Sequence, residues 1–267
     1  MAILKYDHRV IDKAVKKQNR PEIVRQPKNS RLKDVCKVLP EYILGMYRTD
    51  RYFLETGFSD DGKSGIDNTI EKDVGIGFDK KEKRITFPIR DYLGRLVGVS
   101  GRSDIYWHKP RFKVYQFSEI PDYVPENRNH LYLFDRVFPK HFFEVNTSPT
   151  IIVEGYKGAL WLQQNGYDAV AIQGSQITRS QTKFLSKIGG QKIIFLDNEP
   201  GKHIPYKDKC EATKMLLSLI KSGNKVKIAK YPDGCEMLSP DDLNPNQIQW
   251  AIKNSSQNII PLKWKRK

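Results

Sequence analysis

Thr150-Ile-Ile-Val-Glu154-Gly155-Tyr156 and Ile193-Ile-Phe-Leu-Asp197-Asn-Glu199 decide how this chain is read. Each is a run of four residues, mostly apolar, that stops at an acid. Apolar runs of this length without polar alternation suit strands buried on both faces of a parallel sheet. Working outward, Ala169–Ile172 and Val226–Tyr231 are two more such runs. Helical spacing fills the gaps: Ala159, Leu160, Leu162 and Gln163 up to a C-cap at Gly166, then Gln181–Lys187, then Ala212, Met215, Leu216 and Leu219 up to Gly223. Strand and helix alternate with short connections, so residues 148–247 are expected to form a doubly wound, largely parallel α/β unit.

In such sheets ligands bind beyond the carboxyl ends of the strands, and there this sequence places its acids. Glu154 follows the first run and Asp197 the third. Glu199, two residues on, shares a side with Asp197 if the backbone stays extended. Asp233, Glu236, Asp241 and Asp242 sit in the loop after the fourth run. Clustered carboxylates repel unless a cation neutralises them. Mg²⁺ suits oxygen ligands and retains open positions for phosphates.

Upstream, the character is mixed α+β over residues 36–147. Apolar residues recur at helical spacing from Leu39 to Phe53, and Ser59–Gly65 has loop chemistry. Arg84–Ile89 reads as a strand that Pro88 places near an edge, Asp91–Gly94 as a hairpin turn, and Arg95–Ser100 as the return strand. Residues 1–35 read as a poorly ordered basic arm, and 248–267 as a C-terminal helix with a basic tail. The 267 residues carry 46 Lys and Arg against 31 Asp and Glu, a formal charge of +15. The excess is concentrated: ten bases against four acids in residues 1–35, nine against three in 81–113, and four bases with no acid in 263–267. A polyanion partner beside a cation site accounts for that distribution. Three scattered cysteines, Cys36, Cys210 and Cys235, supply neither a disulfide framework nor a zinc knuckle. No apolar run approaches a membrane span, so the expectation is a cytoplasmic protein without a membrane partner.

These segments resemble a known family. Val153-Glu154-Gly155-Tyr156 with Asp197-x-Glu199 is similar to the Toprim fold shared by bacterial-type primases, topoisomerases and some nucleases. Arg84-Ile-Thr-Phe-Pro-Ile-Arg-Asp91, Gly94-Arg-Leu-Val-Gly98 and Gly101-Arg102 resemble the segment preceding Toprim in bacterial-type (DnaG-type) DNA primases. Tyr52–Phe78, Leu131-Tyr132 and Pro232-Asp-Gly234 fit the same pattern, and the resemblance covers roughly residues 50–247. It implies a primase catalytic core that makes short RNA primers on single-stranded DNA from ribonucleoside triphosphates, using Mg²⁺ or Mn²⁺ and no zinc. Glu154 then becomes acid/base or metal ligand, Asp197 and Glu199 bind the metal, and Asp241 is the further match. Arg84, Arg90, Arg95, Arg102 and Lys113 become the groove for template and nucleotide. Tyr106, Trp107 and Tyr115 are available to stack on bases, although core packing is the expected use of such aromatics.

The sequence departs from that family at three places, one of them Glu199, a longer ligand that can still coordinate, as the second member of the Asp pair. Gly158 stands where an acid is usual four residues after Glu154, and Ser239 stands where an acid is common in an expanded loop. Another Toprim enzyme, such as a nuclease, and a non-catalytic nucleic-acid-binding replication factor on a degenerate Toprim fold are the alternative readings. The family's zinc module and helicase-docking domain are not recognised in this sequence, so a separate zinc-module protein and the replicative helicase are expected partners.

Overall fold

The computed structural model describes residues 38–47, 66–103, 107–121, 123–143, 148–204 and 210–257. The basic arm, the Ser59–Gly65 loop, Tyr106 and the basic tail expected above lie outside the described residues. Helix α1 is the single turn Tyr42–Gly45; residues 48–53 of the helical spacing expected from Leu39 to Phe53 lie outside the described residues. Helix α2, Asn68–Val74, starts where the Asp67 carboxylate accepts from Thr69 N at 2.8 Å, and it stops at Gly75, whose φ of +83° suits glycine.

Four strands then form an antiparallel meander in the order β1-β2-β3-β4: Gly77–Asp79, Arg84–Arg90, Leu96–Ser103 and Phe112–Val114. The β2–β3 turn is the expected one. Asp91 Oδ1 accepts from Leu93 N at 2.9 Å and Arg95 N at 3.0 Å, and Gly94 takes φ +81°. Pro88 does not mark an edge strand, because β2 is interior. It is tolerated because β1 is short: Gly77 pairs with Thr86, and no β1 residue lies opposite Pro88.

Helix α3 is Phe134–Phe143. The second sheet follows, entirely parallel, in the order β6-β5-β7-β8, with β5 at Thr150–Val153, β6 at Asp168–Ala171, β7 at Lys192–Ile194 and β8 at Val226–Ile228. Helices α4 (Tyr156–Gln164), α5 (Arg179–Leu185), α6 (Glu211–Lys221) and α7 (Pro245–Lys253) complete the described elements. Ser/Thr/Asn chemistry sets two starts: Thr178 and Asn244 each close a capping box with a Gln three residues on.

Side-chain alternation along β5 divides the core. Ile151 and Val153 pack with Ala159 and Leu160 of α4 and with Ile248 of α7, whereas Ile152 packs with Phe138 of α3, Leu185 of α5 and Leu216 of α6. Helices therefore cover both faces, as a doubly wound sheet requires. The first face also takes Ile85, Phe87 and Ile89 of β2, so one core joins the two sheets. At its centre Phe87 stacks on Tyr156 with ring centroids 4.5 Å apart, and Tyr132 meets Tyr156 edge-on at 4.9 Å. Tyr132 also exchanges both backbone hydrogen bonds with Ala171, at 2.9 and 3.1 Å. Phe87→Ala should cost about 3–5 kcal/mol, the usual range for a buried aromatic truncated in a packed core. Urea unfolding measures it; a loss under about 1 kcal/mol would mean that the sheets do not depend on this contact.

Candidate active site

The strand order reverses between β5 and β7: β5 connects outward to β6, and the chain then returns to β7 on its other side. The crevice beyond their carboxyl ends is where such sheets take ligands. Glu154 stands directly after β5. The pairing of β7 runs one step past its last assigned residue, with Phe195 N donating to Ile152 O at 2.8 Å, and Asp197 emerges two residues later. Glu199 reaches the same place by a turn and not by extension. Glu199 N donates to Asp197 O at 2.7 Å, and Glu199 O accepts from Lys202 N and Ile204 N.

The three carboxylates converge on one atom. Lys202 Nζ lies 3.2 Å from Glu154 Oε2, 3.1 Å from Asp197 Oδ2 and 3.1 Å from Glu199 Oε2. Burial and the neighbouring Asp197 charge push the Glu154 carboxyl above its ordinary range, and Lys202 only partly opposes them. Burial alone would lower the Lys202 ammonium, but Asp197, Glu199 and Glu154 outweigh it and hold that group above its usual value. Glu154 Oε2 is buried and, despite the ion pair, has no well-directed hydrogen bond. Among the described residues no three His, Cys, Asp or Glu side chains are disposed to ligate an ion directly. The expected acid cluster is therefore organised around an ammonium group.

Asp241 stands apart from that trio. It lies on a short 3-10 turn, Pro240–Asp242, where the Ser239 and Asp242 side chains close a capping box. Its nearest cation is Lys157, at 3.5 Å, and burial pushes its carboxyl upward. Ser239 thus has a structural use at the position where the resemblance expects an acid. At Gly158, a Cβ would lie 3.5 Å from Asp241 Oδ1 and 3.6 Å from a Val153 methyl, ordinary contact distances. The glycine is therefore not demanded by crowding at its Cβ. The Asp241 loop is held against the site by Asn198, whose Nδ2 donates to Cys235 O at 2.7 Å, whose N donates to Leu238 O at 2.8 Å and whose O accepts from Met237 N at 3.0 Å, and by Trp161 Nε1, which donates to Leu243 O at 2.9 Å.

A cleft of about 710 Å³ opens over these acids. Of the five expected groove residues it takes two, Arg102 and Lys113. Arg84 is only 2% exposed, with Nη1 donating to Arg111 O at 3.2 Å and Nε lying 3.4 Å from Glu82. Its position is that of a core residue. Arg90 makes a two-pronged contact with Glu41 and donates to Gly94 O, while Arg95 pairs with Asp91 at 2.7 Å across the hairpin turn. Both stand away from the cleft lining. Lys113 also pairs with Glu82. Tyr115 is buried, with its hydroxyl donating to Asp79, as packing predicts, whereas Trp107 is 82% exposed. The cleft adds Arg111, Arg128, Lys157 and Lys202, none of which the sequence reading singled out. Arg111 was signalled by the basic run 81–113. Lys202 was signalled by its spacing of three from Glu199, a reach that only a turn makes visible.

The class this defines is an antiparallel meander packed on a doubly wound parallel sheet, with carboxylates gathered at the switch point beneath a basic wall. It is the fold of the bacterial-type (DnaG-type) primase catalytic core. The structure aligns with the Aquifex aeolicus primase (zinc-binding and RNA polymerase domains) at a TM-score of 0.62 and 18% identity, covering 80% of this chain and 59% of that one. It aligns with a DnaG primase catalytic domain bound to single-stranded DNA at a TM-score of 0.58 and 18% identity, covering 80% and 76%. In sequence it is 28% identical over 205 residues to the DNA primase of Rickettsia felis, which is 74% of this chain and 31% of that relative. The chain thus spans about a third of the length of the curated relatives it matches. No protein-family model matches the sequence.

Asn198→Ala should cost about 1–3 kcal/mol, because it leaves the buried Cys235 carbonyl without its donor. Chemical denaturation checks this, and an unchanged midpoint would show that the Asp241 loop is held by other means.

Proposed function

We propose that this chain is a primase catalytic core that makes short RNA primers on a single-stranded DNA template by metal-dependent nucleotidyl transfer. One observation carries the reading. Glu154, Asp197 and Glu199 bring an oxygen each to 3.1–3.2 Å from a single point at the sheet's switch point. The fold and the sequence likeness to DNA primases support it, and the solved catalytic domain that holds single-stranded DNA supports the choice of template.

The donor chemistry fits a hard divalent cation, although the three carboxylates are now spaced around the Lys202 ammonium and would have to close in on an ion that took its place. The donors are carboxylate oxygens, and one of them, Glu154 Oε2, is buried without a hydrogen bond. Glu154, Asp197 and Glu199 would hold Mg²⁺ or Mn²⁺, with Asp241 in the lining of the same cleft. The ion, when bound, neutralises triphosphate charge and lowers the cost of deprotonating an attacking hydroxyl. This chain's own residues do the rest. Arg102, Arg111, Lys113 and Arg128, all in the cleft lining, provide cationic groups for the sugar–phosphate backbone of template and nucleotide. Trp107 offers an exposed ring for stacking. A replicative helicase and a separate zinc-module protein are the proposed partners, on the family resemblance.

A second reading, a nucleic-acid-binding factor without catalysis, has one observation in its favour: Lys202 already neutralises the acids. Primer synthesis separates the two. With single-stranded DNA, ribonucleotides and Mg²⁺, the wild-type chain should make primers, supplemented by the helicase and zinc-module protein where it initiates poorly alone. Asp197→Ala and Glu154→Gln should abolish them while leaving circular dichroism and unfolding close to wild type. Undiminished product from both variants would remove the catalytic assignment, and no product from any protein would favour the binding factor.

Template binding gives an independent check. Arg102→Ala and Arg128→Ala should each weaken single-stranded DNA binding and lower its salt dependence by about 0.7 in log–log slope per lost phosphate contact. Arg95→Ala, at a residue committed to Asp91, should leave the slope unchanged. Equal slopes for all three variants, by fluorescence anisotropy across a salt series, would place the template elsewhere.

A further inference from the structure

The acidic centre already contains a cation, and that cation belongs to the chain. Among the described residues, Glu154, Asp197 and Glu199 share Lys202 as their ion-pair partner. Its backbone is fixed from both sides. Lys202 N donates to Glu199 O at 3.1 Å and Lys202 O accepts from Ala212 N at 2.9 Å, while the preceding Gly201 O accepts from Glu211 N at 2.9 Å in the first turn of α6. The freedom that remains lies in the four-carbon stem, and the side chain keeps 26% of its surface exposed.

We propose that Lys202 is a built-in counter-ion that occupies the cation position of the acidic centre and is displaced when a divalent metal binds, so that it sets the metal affinity of the site. This rests on the reading of the centre as a metal site. A divalent ion ligated by these three carboxylates needs the point where the ammonium nitrogen sits. Magnesium–oxygen distances of about 2.0–2.1 Å leave no room for an ammonium at the same place. Metal binding therefore requires the lysine to swing out, and the apparent affinity is the intrinsic one multiplied by the fraction of molecules whose centre is open. In exchange, the metal-free protein is spared three mutually repelling carboxylates.

The direction of the effect separates this role from others. A lysine that merely supports the fold, or one that serves only the nucleotide, would leave metal affinity unchanged or weaker when removed. A displaceable counter-ion would leave it tighter. The general loss of a positive charge nearby would also favour a cation, so a control is needed. Lys113 lines the same cleft but pairs with Glu82 and not with the three acids.

The experiment uses Mn²⁺ as the probe, with free Mn²⁺ counted by electron paramagnetic resonance in titrations of the full chain. Lys202→Met should tighten Mn²⁺ binding by about tenfold or more if the wild-type centre is open in about a tenth of molecules or fewer. Lys113→Met should change it by less than about twofold, since that charge is already paired with Glu82 and contacts none of the three acids. Without metal, Lys202→Met should unfold at lower temperature than wild type, and Mn²⁺ should restore it. Lys202→Gln, which keeps a polar side chain, serves as the second variant should the methionine not fold. Equal or weaker Mn²⁺ binding by the Lys202 variants, with wild type binding normally, overturns the proposal and leaves the metal site standing. Equal tightening by Lys113→Met also overturns it, because the effect is then general charge. If neither wild type nor the Lys202 variants bind Mn²⁺, the metal reading falls and the proposal falls with it.

Discussion

The constraint on which the site depends is electrostatic. A doubly wound sheet delivers the ends of β5 and β7 to one crevice, and this sequence places a carboxylate at each, with Glu199 folded back beside them. Such a cluster is unfavourable unless something positive sits within it, since like charges at hydrogen-bonding distance disfavour joint ionisation. Here Lys202 does so, and the loop from Asp197 to Ile204 is shaped to bring it there. The hydrogen bonds of Gly201 and Lys202 to the first turn of α6 belong to the same arrangement, because they consume donors that the helix start would otherwise leave unpaired. The fold thereby fixes the backbone that carries the cation as firmly as the strands fix the acids.

The second dependence is mechanical. Of the basic wall of the cleft, Arg102, Arg111 and Lys113 come from β3, β4 and the segment between them and Arg128 from the short turn Asn127–Asn129, whereas the acids come from the parallel sheet. Their relative position is only as fixed as the core between the sheets. Phe87, Tyr132 and Tyr156 form that contact, and each also belongs to an element that serves the cleft or the sheet beneath it. Tyr156 opens α4 two residues after Glu154, and Tyr132 is bridged to β6. Packing between the sheets and placement of the acid after β5 thus act through adjacent residues.

The sequence made the parallel sheet legible because its strands are short, apolar and ended by acids, a pattern with few other readings. It made Glu154 and Asp197 legible for the same reason. Much of the rest of the site depends on turns. Extension of the backbone predicts that Glu199 would lie beside Asp197; the carboxylates do meet, but through a tight turn whose hydrogen bonds no periodicity reveals. Pro88 is an edge signal in the sequence, and only the shortness of β1 explains its place inside the sheet. The basic residues were the least legible. Arg84, Arg90 and Arg95 share a positive segment with Arg102 and Lys113, yet strand alternation separates only Arg84 from Arg102, which lies opposite Ile85, while Lys113, opposite Gly101, is on Arg84's face. Local partners then commit Arg84 to Arg111 O, Arg90 to Glu41 and Arg95 to Asp91. Charge along a sequence counts bases, while a groove selects those whose place in the fold and whose acidic neighbours leave them lining it.

Arg128 and Lys202 show what a linear reading loses. Arg128 follows a buried Asn127, whose amide donates to Ser100 Oγ at 2.8 Å and anchors its short turn to β3. From there the Arg128 guanidinium lies 3.2 Å from where a Cβ on Gly174 would stand. Gly174, at φ +152°, leaves its turn after β6 with Gly174 N donating toward Glu154 O. The glycine thus admits both an unusual backbone angle and the close approach of a cation from another part of the chain, two needs that one missing side chain meets together. Neither Arg128 nor Gly174 carries a motif when read alone. Their pairing is a product of packing two sheets on one core, and it sets a positive group in the lining of the cleft that also holds the acids.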